Sequence, residues 1–335
     1  MRTSIAAGVV AVCVVAILVA GRGMTAGPDP YVVIGVVQGA IFGMMALGLV
    51  LIYKGTRVFN FAQGEFGSWA AWIFYLCLGL FHFTGGFLVA LLLALVASIL
   101  MGLAMERVVA RPLMGSPRVT VLVATIAVTL LLIGVELLAF GTDPRNLPEL
   151  IPSHDAGGHL AGISLFGHQV NPQSLVAVGI LALAAPVLGW FFSRTDLGLA
   201  VLATSQDAFA TRVVGIGVER TQRFIWGAAG LLGGIAGIVY VPLAGALVPG
   251  IMTKEILIPA FTGAVLGGMT SLSGAFLGGI VLGLVQALSS WAGSYFTVGD
   301  QTLSTVVPGV EHISVLAVML LILLVRPAGM LGREA

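Results

Sequence analysis

Tyr31 to Tyr53 reads YVVIGVVQGAIFGMMALGLVLIY, and this stretch decides the fold. It contains no charged side chain, and it exceeds the roughly 20 apolar residues that a helix needs to cross a bilayer. Gly35, Gly39 and Gly43 recur every four residues, so they share one helix face on which another backbone can approach closely. The stretch therefore predicts a membrane-spanning helix with a glycine face for close packing.

The whole chain has the same apolar character. Of its 335 residues, 59% are hydrophobic and 9% are charged, and the mean hydropathy is +1.10. A soluble domain carries about 25% charged residues. This deficit excludes a water-soluble enzyme, a nucleic-acid-binding protein and a disordered scaffold, and the net charge of +1 offers no basic face. We expect an all-α, polytopic integral membrane protein.

Apolar runs of spanning length predict nine or ten transmembrane helices in a single transmembrane domain, residues 1–335. The expected spans are Ile5 to Ala20, Tyr31 to Tyr53, Phe66 to Phe81, Phe87 to Met105, Val119 to Phe140, Ser174 to Phe192, Phe224 to Val248, Ile256 to Thr270, Leu272 to Trp291 and Val310 to Val325.

Two of these spans leave an alternative open. Residues 1–20 form either a retained helix or a signal peptide; we expect a helix, because a multiply basic start and a clear cleavage site are lacking. Ile256 to Thr270 has only about fifteen residues, so it either crosses the membrane or re-enters as a hairpin with the next segment.

Basic residues predict the orientation, because they are retained on the cytoplasmic side in short loops. With the amino terminus inside, three basic residues lie outside, namely Arg22, Arg145 and Lys254. Twelve lie inside, namely Arg2, Lys54, Arg57, Arg107, Arg111, Arg118, Arg194, Arg212, Arg220, Arg223, Arg326 and Arg333. We therefore expect both termini in the cytoplasm.

Other glycines repeat the four-residue spacing of the first stretch. The pairs are Gly230 with Gly234, Gly233 with Gly237, Gly263 with Gly267, Gly274 with Gly278 and Gly279 with Gly283. They predict close helix packing. The alternative is that these smooth faces also slide during a transport cycle.

Reactive groups are scarce inside the spans. Only Glu136 lies clearly within a predicted helix, so a proton relay is not expected. The lysines, Lys54 and Lys254, lack the flanking residues of a phosphate-binding loop, and no histidine pair has metal-ligand spacing on a helix. We expect no catalytic residue, no cofactor and no metal, so the chain is not predicted to be an enzyme. If transport uses ATP, a separate chain must hydrolyse it.

Two loops are long: an outer one of about 141–172 and an inner one of about 193–222. The inner loop contains a short helical pattern that begins near Asp207, whose carboxylate favours a helix amino terminus, and stops at Gly215. Phe209, Ala210 and Val213 share one side of this helix. Such a helix either inserts into a groove on a partner or lies on the lipid surface.

Polar residues cluster before the third span. Asn60, Gln63, Glu65 and Ser68 lie near the inner membrane face, where polar groups must face protein or water rather than lipid. They predict either a gate that lines the translocation path or a hydrogen-bonded turn that fixes helix packing.

The segment NFAQGE, from Asn60 to Glu65, resembles the signature of the branched-chain amino-acid permeases of bacterial ABC importers, and specifically of their H-type subunit. The resemblance runs from about Tyr31 to Gly332 through several motifs in order. These are Leu51 to Lys54 with Thr56, Gly141 with Asp143 to Arg145, Asp207, Ala208, Ala210 and Gly215, Ala264 to Gly268, and Val325 to Pro327 with Gly329, Leu331 and Gly332.

The resemblance implies an ABC importer permease fold and the partners that such a permease assembles with. These are a second permease subunit of M-type, two cytoplasmic ATPase subunits and a periplasmic substrate-binding protein, within membrane lipid and without nucleic acid. The inner-loop helix would be the coupling helix. The implied function is ATP-driven import of branched-chain or related amino acids. The alternative is a secondary carrier or channel for a small polar solute such as urea or an amide. A homodimer and a heterodimer of permeases both remain open.

Overall fold

The structure is a computed structural model that describes residues 29–81, 85–151, 163–165, 168–298, 301–325 and residue 329. Its long helices are α1 (Asp29–Thr56), α2 (Gln63–Leu80), α3 (Gly86–Met105), α4 (Arg118–Phe140), α5 (Pro172–Arg194), α8 (Val218–Ala244), α10 (Leu272–Tyr295) and α12 (Val310–Val325). Shorter helices are α6 (Asp196–Gln206), α7 (Ala208–Val213), α9 (Ile258–Gly267) and α11 (Leu303–Val306). Two π-helical turns, Glu106–Ala110 and Thr253–Leu257, adjoin α3 and α9. The expected span Ile5 to Ala20 lies outside the described residues.

The all-helical, multi-pass fold expected from the sequence is confirmed. Six described helices are long and apolar enough to cross a membrane: α1, α3 with its π-helical turn, α4, α5, α8 and α10. The helix α12 is apolar but shorter. The helix α2 begins with a polar turn at Gln63–Glu65, which lowers its mean hydropathy. The total of nine or ten spans remains a prediction.

The described residues contain two pairs of short β-strands. Strand β1 (Ile163–Leu165) pairs antiparallel with β2 (His168–Val170) inside the expected outer loop. Strand β3 (Thr297–Val298) pairs with β4 (Gln301–Thr302) after α10. Strands of this length close turns between helices and build no sheet core.

The chain divides into two compact units, and α1 and α5 contribute residues to both. Unit A comprises the described residues of 1–46, 153–181 and 259–335; unit B comprises those of 47–152 and 182–258. In unit A, the first part of α1 lies against α10. A Cβ at Gly39 would lie 2.6 Å from the Ile280 Cα, and one at Gly279 would overlap the Gly43 backbone. The backbones therefore touch where the four-residue glycine spacing predicted it.

The helices α9 and α10 form a tight hairpin in unit A. A Cβ at Gly267 would overlap the Gly274 backbone, and one at Gly278 would overlap the Gly263 carbonyl oxygen. The predicted close approach of these glycines is confirmed. The hairpin agrees with both interpretations of Ile256 to Thr270, so spanning and re-entering both stay predictions.

The core of unit B is formed by α2, α3 and α8, which pack against one another. Trp72, Trp226 and Phe66 are buried within it. Glycines again allow the contact, because a Cβ at Gly237 would overlap the Gly67 backbone and one at Gly102 would overlap the Trp226 carbonyl oxygen.

The outward faces of α3 and α4 are apolar. Leu92, Leu130 and Leu138 are 62%, 66% and 89% exposed. Large apolar side chains exposed in this number are unfavourable in water and are the side chains that a lipid environment accepts. The exposed leucines therefore agree with the membrane assignment made from composition.

Candidate coupling segment and buried polar cluster

The helix α7 lies in unit B between α6 and α8 and is capped at both ends. Asp207 has an extended backbone, and its Oδ1 accepts the Ala210 backbone N–H at 3.0 Å. This makes Asp207 the amino-terminal cap rather than a residue of the first turn, because a short carboxylate satisfies a backbone donor best from that position. The φ of Gly215 is +85°, which is the left-handed conformation that ends many helices.

Two hydrogen bonds complete the end at Gly215. The Ile216 N–H donates to the Thr211 carbonyl oxygen at 3.1 Å, and the Gly215 N–H donates to the Arg212 carbonyl oxygen at 3.0 Å. This pair of bonds is the Schellman motif, which satisfies carbonyls that a helix end leaves unbonded. The predicted stop at Gly215 is therefore present, and it gives a six-residue helix a fixed end.

One side of α7 presents apolar side chains away from the protein. Val213 and the adjacent Val214 are 73% and 78% exposed, and Ala210 is also exposed. Thr211, by contrast, is buried, and its hydroxyl donates to the Asp207 carbonyl oxygen at 2.6 Å. The side chain of Phe209 lies outside what the structure describes. An exposed apolar face on a short, capped helix is suited to binding a partner or a lipid surface.

Arg111 connects the segment after α7 to the end of α3. Its Nη1 lies 2.8 Å from Glu219 Oε2, in the first turn of α8. Its Nη2 lies 2.9 Å from Glu106 Oε1, and the Glu106 side chain is fully buried. This cluster could not be predicted from the sequence, because Arg111 and Glu219 are 108 positions apart and the pattern around either residue contains no sign of the other. The contact ties α8, which follows α7 directly, to α3.

The four residues of the predicted polar cluster are all buried in unit B: Asn60, Gln63, Glu65 and Ser68. The Asn60 amide donates to Gln63 Oε1 at 3.4 Å, and Asn60 Oδ1 accepts the Ala62 N–H at 3.1 Å. Gln63 Nε2 donates to the Ala229 carbonyl oxygen of α8 at 2.6 Å. These bonds fix the start of α2 and hold it against α8.

Glu65 and Ser68 extend the cluster toward α4 and the π-helical turn. The Thr253 hydroxyl donates to Glu65 Oε1 at 2.6 Å, and the Ser68 hydroxyl donates to Glu136 Oε2 at 3.1 Å. The Gly250 N–H donates to the same Glu136 oxygen at 2.8 Å. Glu136, noted in the sequence as the charge within a span, therefore belongs to this cluster. Because Glu136 lies about one turn before the end of α4 that is predicted to be outside, the expectation that Glu65 and Ser68 lie near the inner membrane face is wrong. The contacts agree with the packing interpretation, and a gate remains a prediction.

Six apolar helices of spanning length define the class of multi-pass membrane proteins, and the short capped helix α7 with its exposed apolar side is suited to binding a partner. A model of the family described as "Branched-chain amino acid transport system / permease component" matches residues 31–325. The branched-chain permease protein BraD of Pseudomonas aeruginosa is 30% identical over 307 residues, which cover 89% of this chain and 94% of BraD. LivH of Escherichia coli K12 is 31% identical over 309 residues, with the same coverage. A probable LivH of Methanocaldococcus jannaschii is 27% identical over 296 residues, or 86% of this chain and 88% of the relative.

The chain belongs to the branched-chain amino acid permease family of ABC transporters, and within it to the H-type subunits. Permeases of this family are transport subunits and not enzymes, so the expectation drawn from the sequence is confirmed. No solved structure matches the chain.

Proposed function

We propose that the chain imports branched-chain or related amino acids across the bacterial inner membrane as one half of an ATP-driven permease pair. The family assignment implies an ABC system with further components. The exposed apolar surface formed by Val213 of α7 and the adjacent Val214 is the observation that best supports this role. It gives an ATPase subunit a defined place to dock.

The proposed assembly contains a second permease of M-type, two ATPase subunits on the cytoplasmic side and a periplasmic substrate-binding protein. Residues 1–335 form one transmembrane domain, with the loop 141–172 outside and the loop 193–222 inside. Asp207, Phe209, Ala210, Val213 and Gly215 form the coupling segment. Both chain termini are cytoplasmic, in agreement with the excess of basic residues on that side.

A route for coupling follows from the contacts of unit B. A movement of α7 reaches α8 through the short connection at Gly215 and Gly217, and Arg111 links the first turn of α8 to Glu106. The start of α2 is in turn held to α8 by the bond from Gln63 to Ala229. Asn60, Gln63, Glu65 and Ser68 are therefore placed to respond to α8, which supports a gating role transmitted through packing.

Transport by the reconstituted complex tests this function. The chain is purified with its second permease and ATPases and placed in liposomes with the binding protein outside and ATP inside. Uptake of radiolabelled leucine, isoleucine and valine is expected to need both ATP and the binding protein. A complex whose ATPase subunit cannot hydrolyse ATP is the control.

Two outcomes contradict the proposal. Equilibration of urea or an amide without ATP would indicate a channel. Uptake that persists without ATP and is abolished by an ionophore would indicate a secondary carrier. If ATP-driven uptake occurs with a different amino acid, the transport mechanism stands and the proposed substrate is wrong.

A further inference from the structure

Two carboxyl groups lie together inside unit B, one on Glu65 in the first turn of α2 and the other on Glu136 near the end of α4. Both residues are 0% exposed. Ser68, one turn after Glu65 on α2, donates its hydroxyl to Glu136 Oε2 at 3.1 Å, so both carboxyl groups lie on the same side of α2. We infer that the pair is a binding site for one proton, which bridges Glu65 and Glu136 as a hydrogen bond between a carboxylic acid and a carboxylate.

The hydrogen bonds around the pair leave a place for this proton. Glu65 Oε1 accepts the Thr253 hydroxyl, and Glu136 Oε2 accepts both the Ser68 hydroxyl and the Gly250 N–H. Glu65 Oε2 and Glu136 Oε1 are buried, and no donor among the described residues reaches them. An ionised carboxylate only accepts hydrogen bonds, whereas a protonated one gains an O–H donor. One proton therefore supplies the donor that the remaining oxygens lack.

The electrostatics also favour a single proton. Two adjacent carboxylates repel strongly in a buried site, so both are not expected to ionise. The π-helical turn Thr253–Leu257 carries two charged residues. The exposed Lys254 ammonium attracts the Glu65 carboxylate, and Glu255 beside it carries a negative charge. On α8, the titratable residue near Glu255 is Tyr240. The helix α3 has no titratable side chain between Gly86 and Met105. One proton lowers the charge of the pair from −2 to −1, and the Lys254 ammonium offsets part of the remaining charge.

The proton would join three parts of unit B. Glu65 and Ser68 are one turn apart on α2, and Gly250 and Thr253 have the same separation in the segment after α8. Ser68 of α2 and the Gly250 N–H donate to Glu136 of α4, and Thr253 donates to Glu65. The proton is thus a structural bridge between α2 and α4.

Infrared spectroscopy of the purified full-length protein tests the site directly. A protonated carboxyl group gives a C=O band that shifts in ²H₂O. The wild type is expected to show this band at neutral pH, and either Glu65→Gln or Glu136→Gln is expected to abolish it, because the remaining carboxylate then accepts from an amide N–H. Absence of the band in the wild type, or its persistence in both variants, would overturn the inference.

Thermal unfolding supplies the second measurement. The amide of either Gln variant can donate where the proton did, so the unfolding midpoint should stay near that of the wild type. Glu106→Gln is the matched control, since Glu106 is an equally buried carboxylate whose partner is Arg111. Its midpoint should fall, and a larger fall for both Glu65→Gln and Glu136→Gln would contradict proton sharing.

A bound metal cation is the competing occupant, and salt replacement distinguishes it from a proton. With a proton bridge, exchanging Na⁺ and K⁺ for choline leaves the wild-type midpoint unchanged. If the exchange lowers the wild-type midpoint but not those of the two Gln variants, the site holds a metal ion and the inference is wrong.

Discussion

Gln63 is the residue at which the packing and gating interpretations of the polar cluster separate. Its amide donates to the Ala229 carbonyl oxygen at 2.6 Å from a fully buried position. Gln63→Ala removes this bond, which we expect to cost about 1–3 kcal/mol of stability. If Gln63 serves packing alone, thermal stability and recovery of the ATPase subunits fall together with uptake.

A gate residue gives a different result for the same variant. The complex would then assemble in normal amount while uptake, or its coupling to ATP hydrolysis, changes. Gln301→Ala is the control, because Gln301 is exposed in β4. If Gln63→Ala has the stability, assembly and uptake of the wild type, Gln63 serves neither packing nor gating.

Arg111 is expected to be the most sensitive charged residue of the described chain on the predicted cytoplasmic side. Arg111→Ala leaves the Glu106 carboxylate buried without its cation, and breaking a buried ion pair in this way costs about 3–5 kcal/mol. We expect a lower unfolding midpoint and weaker coupling of ATP hydrolysis to uptake. Arg107→Ala is the control, because Arg107 is exposed in the π-helical turn that contains Glu106. It should leave the unfolding midpoint and the coupling unchanged. Equal effects of the two changes would contradict the role given to Arg111.

Glycine contacts set the spacing of the elements, and Gly237 in α8 tests them. A Cβ at this position overlaps the backbone of Gly67 in α2, so Gly237→Ala must push two backbones apart. Overpacking of this kind costs about 1–3 kcal/mol. Gly134→Ala in α4 is the matched control, because a Cβ there meets no atom within 4 Å. Circular dichroism during heating should show a lower midpoint only for Gly237→Ala; equal midpoints for the two variants would contradict the close contact.

The helix α7 is the element that the proposed function depends on. Val213→Asp places a charge in the apolar contact that we propose with the ATPase, where an unpaired charge is costly. Uptake and ATPase recovery should fall while insertion of the permease into the membrane persists, and Phe209→Asp should act in the same way. Val306→Asp, an exposed valine of α11, is the control. Normal ATPase recovery together with normal uptake in Val213→Asp would disprove the docking site.

Hydropathy predicted the apolar parts of the elements better than their polar ends. The expected span Val119 to Phe140 differs by one residue from α4. The expected start at Phe224 is six residues late, because α8 begins at Val218 with a charged turn that Glu219 and Arg111 hold in place. A window that counts apolar residues does not detect a helix turn stabilised by an ion pair with a distant residue.

The coupling segment was predicted from the sequence but the contacts of the buried polar cluster were not, because a local sequence pattern does not contain contacts between distant residues. Asp207, Gly215 and the apolar side of α7 follow from local rules of helix ends, which depend on neighbouring residues only. The partners of Glu136 are Ser68 and Gly250, which are 68 and 114 positions away. These contacts depend on how α2, α4 and α8 pack, and no local pattern contains that information.

At the scale of the whole molecule, orientation connects the helices to the proposed function. In the predicted orientation the inner side carries twelve basic residues and the outer side three, so α7 is predicted to lie in the cytoplasm, where we propose that the ATPases bind. The same orientation places Asp143, an exposed residue that follows α4, on the outside. The central claim therefore requires Val213 and Asp143 to lie on opposite sides of the membrane.

The most direct test uses one cysteine at a time, in a chain whose Cys13 and Cys77 have been replaced by alanine. Val213→Cys should resist a membrane-impermeant maleimide added to intact cells and should cross-link to the ATPase subunit, whereas Asp143→Cys should be labelled from outside. Strong outside labelling of Val213→Cys with weak labelling of Asp143→Cys, and no cross-link to the ATPase, would reverse the topology and contradict the proposed coupling.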